Sequence, residues 1–150
     1  MNPLNPLNGL KVWLLRLFGA SVGHGVVIKP SVNIKYPWRL RLGNHVWIGE
    51  NAWIDNLGDV IIADNCVLSQ GSMLLSGSHD FSRQTFNVMV DKIVLEEGVW
   101  IGARSIVYMG ITCKSHSILG ANSIALKTME PYSIYYGNPA VKVSDRIIHA

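Results

Sequence analysis

Proton transfer near neutral pH calls for imidazole, and the chain offers five histidines: His24, His45, His79, His116 and His149. His24, His45 and His116 fall at turn positions inside a regular repeat, and His149 lies in the tail. His79 differs. It stands in Gly77-Ser78-His79-Asp80, where the repeat breaks, at the root of the one long excursion, residues 80–94. An imidazole in that position can take the proton of a hydroxyl as its oxygen attacks a thioester carbonyl, a reaction the hydroxyl alone performs poorly. Backbone N–H groups along 76–78 are candidates for holding the oxyanion that results. Asp80 has two readings of equal weight: it orients the imidazole, or it caps the loop.

Little else in the composition suggests a reactive centre. Cys66 and Cys113 match no CxxC or Cys/His zinc spacing, so no metal is expected. A formal charge of +3 without a Lys/Arg block argues against nucleic acid as a partner. A few cations placed for a phosphorylated co-substrate would account for it equally well. Hydrophobic residues make up 49% of the chain and charged residues 15%, which excludes disorder, and 150 residues suit one domain. The apolar run at 12–15, bracketed by Lys11 and Arg16, is too short to span a bilayer and lacks a signal-peptide cleavage site. Cytoplasmic residence is expected.

The element that would hold His79 is legible as a period of six. Val22, Ile28 and Ile34 begin a series that continues through Leu42, Ile48, Ile54, then Ile62, Leu68, Leu74. After a break it resumes at Leu95, Ile101, Val107, Cys113, Leu119 and Ala125. Period six is neither helical nor simple strand alternation. It fits a short strand and a turn, repeated three times per triangular coil, with each series residue and the small residue two before it pointing inward. The steps Ile34 to Leu42 and Ile54 to Ile62 are eight residues, and Leu74 to Leu95 is twenty-one. All three irregular steps follow a third hexapeptide, so the insertions stack on one corner, with Tyr36-Pro37-Trp38-Arg39 and Asp55-Asn56-Leu57 beneath the loop of His79.

The expected architecture is all-β, a left-handed parallel β-helix over 21–130 with a helical cap at 1–20 and a second cap at 131–150. Asn5-Pro6 reads as the helix start, with Leu7, Leu10, Leu14 and Leu17 as the face that lids the first coil and Gly19 as its end. Contact of that stripe with a membrane surface is the alternative. Outward positions are largely apolar on two sides: Val27, Trp47, Val67, Trp100 and Ile118 on one, Asn33, Trp53, Met73, Ile106 and Ile124 on another. Two such faces suit a ring in which each subunit meets two neighbours, hence a homotrimer.

The repeat, the Gly-Ser-His-Asp corner, the step Gly98-Val99-Trp100-Ile101-Gly102-Ala103 and the ending Tyr136-Gly137-Asn138-Pro139-Ala140 resemble the hexapeptide-repeat O-acetyltransferases. The resemblance is greatest to the colanic-acid and exopolysaccharide subgroup, with the maltose and galactoside acetyltransferases as wider relatives. It implies a trimer with active sites between subunits, His79 as the catalytic base, acetyl-coenzyme A as co-substrate and a saccharide acceptor. Trp100, Ala103 and Ala121 would line the coenzyme, with Lys127 near its phosphates. Lys142 matches less well, because Val141 intervenes where the family places a cation. Trp38 and Asn56 are expected to meet the acceptor, with Asn51 and Asp55 as auxiliary residues. Gly49-Glu50-Asn51 keeps one Asn of the galactoside-type acceptor motif. Asp55-Asn56 stands where serine acetyltransferases have Asp-His, which argues against serine. A xenobiotic acetyltransferase and a non-catalytic assembly scaffold are the other readings. A γ-type carbonic anhydrase would need a histidine pair five apart, a spacing the chain lacks.

Overall fold

The structure is a computed structural model that describes residues 7–149. Its chain winds as a left-handed parallel β-helix of three faces. Face one stacks Ser21–Val22, Leu40–Leu42, Val60–Ile62, Ile93–Leu95 and Thr112–Cys113. Face two stacks Val27–Ile28, Trp47–Ile48, Val67–Leu68, Trp100–Ile101 and Ile118–Leu119. Face three stacks Asn33–Ile34, Trp53–Asp55, Met73–Leu75, Ile106–Tyr108 and Ile124–Ala125. Strands of two or three residues have no stability of their own. Each survives because its backbone bonds to the coils on either side, as in Val27 N–H to Val46 carbonyl (2.9 Å) and Trp47 N–H to Cys66 carbonyl (2.9 Å).

The ladder register matches the period of six. Ile28, Ile48, Leu68, Ile101 and Leu119 are consecutive partners and all are buried. The small residues two positions earlier, Val26, Val46, Cys66, Val99 and Ser117, fill the corner beside them. Burial pushes the Cys66 thiol up to about 11 and the Cys113 thiol to about 12, so both remain protonated and inert at neutral pH. At the turns the coils touch backbone to backbone. A Cβ on Gly102 would lie 2.6 Å from Ala121 N, so only glycine allows that approach. His45 (φ 55°) and His116 (φ 60°) occupy left-handed turn positions. The rings of His24 and His45 stack edge to face at 4.8 Å, and His116 lies against Tyr132.

One capping expectation lies outside what the structure describes, and another changes. Asn5-Pro6 lies outside the described residues; helix α1 spans Asn8–Leu17 and Leu7 precedes it without a side-chain cap bond. Its inward face is not the leucine stripe. Leu7, Leu10, Leu14 and Leu17 are exposed, and Val12 and Leu15 pack on the core instead. The reason is the nature of the surface being covered. The first coil ends in unpaired strand edges that need hydrogen bonds before they need apolar cover. Asn8 supplies both, accepting from Ile28 N–H (2.7 Å) and donating to Val26 carbonyl (2.9 Å). Lys11 donates to the Ile28 and Lys29 carbonyls, and Arg16 to those of Val22 and Gly23. At the other end, Ser133–Gly137 adds to face two beside Ile118–Leu119 and returns as the antiparallel strand Ala140–Asp145.

The excursion also has more order than a loop. Gly77–His79 pairs antiparallel with Val88–Val90, and the repeat resumes at Ile93.

Because Ile101 is buried between two coils, Ile101→Ala should cost about 2–5 kcal/mol. The Ser117 hydroxyl is buried with no partner, so Ser117→Ala should be neutral or stabilising by up to about 1 kcal/mol. Denaturant titration of the two variants checks the contrast.

Candidate active site

All three insertions fall on the corner between faces three and one, in register up the stack. The lowest is the turn Pro37–Arg39 after Ile34. Tyr36 and Trp38 rings meet there at 5.2 Å, and Trp38 is exposed. Together with Arg39 and Leu57 they line a shallow cavity of about 210 Å³. One coil on, Asp55 pairs with Lys35 at 3.1 Å. Asn56 is wholly buried and braces the coil below, accepting from Tyr36 N–H (3.0 Å) and donating to the Tyr36 carbonyl (2.6 Å). Its expected contact with an acceptor is therefore corrected: its amide is spent and hidden, and the surface at this level belongs to Trp38 and Arg39. Ser76, also buried, ties the next coil in, its hydroxyl donating to the Asp55 carbonyl (2.9 Å) and accepting from Gly58 N–H (2.8 Å).

His79 ends the first strand of the hairpin on this base, exposed to solvent. Its Nδ1 lies 2.7 Å from the carbonyl of Phe86, across the hairpin tip. A carbonyl only accepts, so the Nδ1 proton donates and Nε2 keeps its lone pair. The ring is thereby fixed in the tautomer that can receive a proton at its outward nitrogen. Of the two readings of Asp80, loop capping describes its contacts. Its carboxylate accepts from the Ser82 hydroxyl and N–H (3.0 Å for the latter) and pairs with Arg83 at 3.2 Å. The Ser82 bonds hold its carboxyl below the usual range, so this clasp is present at neutral pH and is lost as acid protonates it. The orienting role belongs to the Phe86 backbone, which no motif announces.

Tyr108, one coil above, was not apparent from the repeat either. Its hydroxyl donates to Ser78 Oγ and fastens the hairpin to face three next to His79. Gly77 allows the hairpin to lie close, since a Cβ there would collide with the Leu57 side chain. Of the oxyanion donors expected along 76–78, Ser76 N–H is already committed to the Asp55 carbonyl.

The residues expected to line a coenzyme do not share this corner. Trp100 is on face two, its Nε1 donating to Ser69 Oγ (2.8 Å). Ala103 and Ala121 stack on the corner between faces two and three, tied by Asn122 N–H to the Ala103 carbonyl (2.8 Å). Asn51, at φ 58°, turns the same corner earlier. Lys127 follows face three two coils beyond His79, on the His79 corner, and is exposed. Lys142 lies on the terminal hairpin and is held by Asp145 at 2.6 Å, which raises its ammonium above the usual range. Within one chain, then, face three separates His79 from Trp100, Ala103 and Ala121.

The triangular solenoid with its one decorated corner fixes the architecture, and comparison with known proteins supplies its class. No protein-family model matches the chain. It is 39% identical over 137 residues to the protein of Escherichia coli K12 named as the colanic acid biosynthesis acetyltransferase WcaF, covering 91% of this chain and 75% of that one. To the galactoside O-acetyltransferase of the same organism it is 25% identical over 142 residues, covering 91% and 70%. Among solved structures, the hexapeptide-repeat acetyltransferase VCA0836 of Vibrio cholerae, complexed with acetyl coenzyme A, superposes with a TM-score of 0.87 at 23% identity, covering 93% and 78%. A galactoside acetyltransferase in complex with coenzyme A gives 0.85 at 23%, covering 96% and 74%. The chain belongs to the hexapeptide-repeat acetyltransferase family. Its activity is acetyl transfer.

Removing the bond from Tyr108 to Ser78 should loosen the hairpin that carries His79. A Tyr108→Phe variant is expected to lose about two- to tenfold in turnover, the equivalent of ~0.5–1.5 kcal/mol, with its thermal midpoint nearly unchanged. Steady-state kinetics beside a melting curve reads both.

Proposed function

We propose that this acetyltransferase moves an acetyl group from acetyl-coenzyme A to a hydroxyl of a saccharide destined for an exopolysaccharide, with His79 as general base. The observation that carries the reading is the bond from His79 Nδ1 to the Phe86 carbonyl, which leaves Nε2 with its lone pair on an exposed side chain, at the corner that carries Trp38 and Arg39 two coils below. An aromatic ring beside a guanidinium is a good platform for a sugar, one stacking on its C–H face and the other donating to hydroxyls. Relatives named for colanic acid and galactosides support the acceptor class, and neighbours holding acetyl coenzyme A or coenzyme A support the donor.

In the reaction the acceptor oxygen attacks the thioester carbonyl carbon while its proton passes to Nε2. The imidazolium that forms is stabilised by the Phe86 carbonyl at Nδ1. As the tetrahedral intermediate collapses, the C–S bond breaks, and the departing coenzyme A thiolate takes the proton back from Nε2. The products are the acetyl ester and free coenzyme A, and His79 returns to its starting tautomer.

The donor requires a neighbour. Trp100, Ala103 and Ala121 lie across face three from His79, so a second subunit must present its own copy of that corner to complete the site. A homotrimer provides this three times, and it covers the outward columns of Trp47, Val67 and Trp100 and of Trp53, Met73 and Ile106. Of the two lysines considered for the coenzyme phosphates, Lys142 is engaged by Asp145, which favours Lys127. The cytoplasm, which supplies acetyl-coenzyme A, is the compartment this reading assigns.

His79→Ala should lower turnover by roughly 10²–10⁴-fold, with KM for acetyl-coenzyme A little changed. His79→Asn keeps the bulk without the basic nitrogen and should fall as far. Assays against repeat-unit sugars, serine and chloramphenicol read the acceptor class at the same time. Near-wild-type turnover of His79→Asn would contradict the mechanism, and a monomer mass by light scattering would contradict the shared site.

A further inference from the structure

Helix α1 is amphipathic in the reverse of the usual sense. Asn8, Lys11, Val12 and Leu15 form the stripe that faces the first coil, with Asn8 and Lys11 bonded to its backbone. Away from the coil stand Leu10, Trp13 and Leu17, exposed by 51%, 55% and 62%; beside them Leu14 and the C-cap residue Phe18, exposed by 37% and 58%, also border a cavity against Ile28 and Val32. These five positions follow the spacing of one continuous helical face. The protein's own core cannot use that face, because the polar stripe is what satisfies the strand edges beneath.

The charge around the helix is one-sided. Residues 1–49 contain Lys11, Arg16, Lys29, Lys35, Arg39 and Arg41 and no Asp or Glu; the first carboxylate is Glu50. The remaining residues carry seven cations against ten carboxylates. The overall excess of +3 is thus concentrated at the helical end of the prism. Lys29 and Lys35 there pair with Glu50 and Asp55, so the excess rests on Lys11, Arg16, Arg39 and Arg41. An exposed face of Leu, Trp and Phe at this cationic end matches the boundary of an anionic bilayer, where apolar rings enter the headgroup region and Lys and Arg meet lipid charge. A protein partner would demand a shaped interface, whereas a bilayer needs only this combination.

We infer that α1 is an interfacial helix that docks the enzyme, through Leu10, Trp13, Leu14, Leu17 and Phe18, on an anionic lipid bilayer. The helix does not cross it: among the described residues no helix is long and apolar enough to do so. The docked end adjoins the decorated corner. Gly19, which follows the helix, lies so close to Trp38 that a Cβ on it would be 3.0 Å from Trp38 Cβ. Docking therefore brings the Trp38 and Arg39 shelf to the bilayer surface. If the proposed sugar-acetyl reading holds, an acceptor saccharide carried on a lipid would meet the enzyme in this orientation.

The test is sedimentation of the full chain with vesicles of phosphatidylcholine alone or with three parts in ten of phosphatidylglycerol. The wild type should pellet with the anionic vesicles at least tenfold more strongly than with the neutral ones, and added salt should weaken this. The triple variant Leu10→Ser, Trp13→Ser, Phe18→Ser changes only exposed positions. It should lose at least tenfold in vesicle binding and retain wild-type acetylation of a soluble sugar, a readout that keeps failure of docking distinct from failure of the active-site reading. Absence of binding to anionic vesicles, equal binding to neutral ones, or unchanged binding of the triple variant would overturn the inference. So would a triple variant that drops to a smaller oligomer, because the face would then be a contact between copies.

Discussion

The structure rests on one constraint: each coil can hydrogen-bond only if the next lies directly above it, in register. No strand in the solenoid exceeds three residues, so cohesion comes from the ladder running along the axis and the column of aliphatic side chains inside it. In-register stacking forces like positions over like positions. Ile48 must follow Ile28 and precede Leu68, and the turn at Ala103 must lie under the turn at Ala121. It also leaves the chain one freedom, to bulge outward at a corner without disturbing the ladder. The active-site corner is built from that freedom alone.

Stacking makes this corner rigid. Its insertions would be mobile loops by themselves, yet buried or half-buried side chains pin each to the coil beside it: Asn56 to Tyr36, Ser76 to Asp55 and Gly58, Tyr108 to Ser78. His79 thus stands on three levels of braced backbone, and the hairpin returns Phe86 to set its ring. Rigid support beneath an exposed imidazole suits the proton transfer proposed for it. The same geometry is the reason the proposed site calls for a second subunit. A prism has its corners a face apart, so groups on two corners converge only when two prisms meet.

Much of this could be read in the amino-acid order because the ladder imprints its period on the inward residues. Ile28, Ile54 and Leu74 are aliphatic for the reason that makes them a series, and the irregular steps at 34, 54 and 74 mark the corner by interrupting it. What escaped reading depends on atoms that the period does not constrain. The orienter of His79 is a backbone carbonyl at the far side of a hairpin, and any residue type at 86 would supply it. Asn56 carries the polar character of a binding residue, yet its side chain turns inward to serve Tyr36. The helix shows the same limit. Its leucine stripe is regular, but which face turns inward depends on what the first coil presents, and that coil presents backbone edges for Asn8, Lys11 and Arg16.

The hairpin fixes His79 with its proton on Nδ1 and its lone pair on Nε2. Long-range proton–nitrogen NMR on histidine-labelled protein, with the His79 signal assigned by its loss in a His79→Asn variant, reads the tautomer directly. The spectrum should show one dominant neutral form, protonated at Nδ1. A dominant form protonated at Nε2, or the mixture of a free imidazole, would contradict the account.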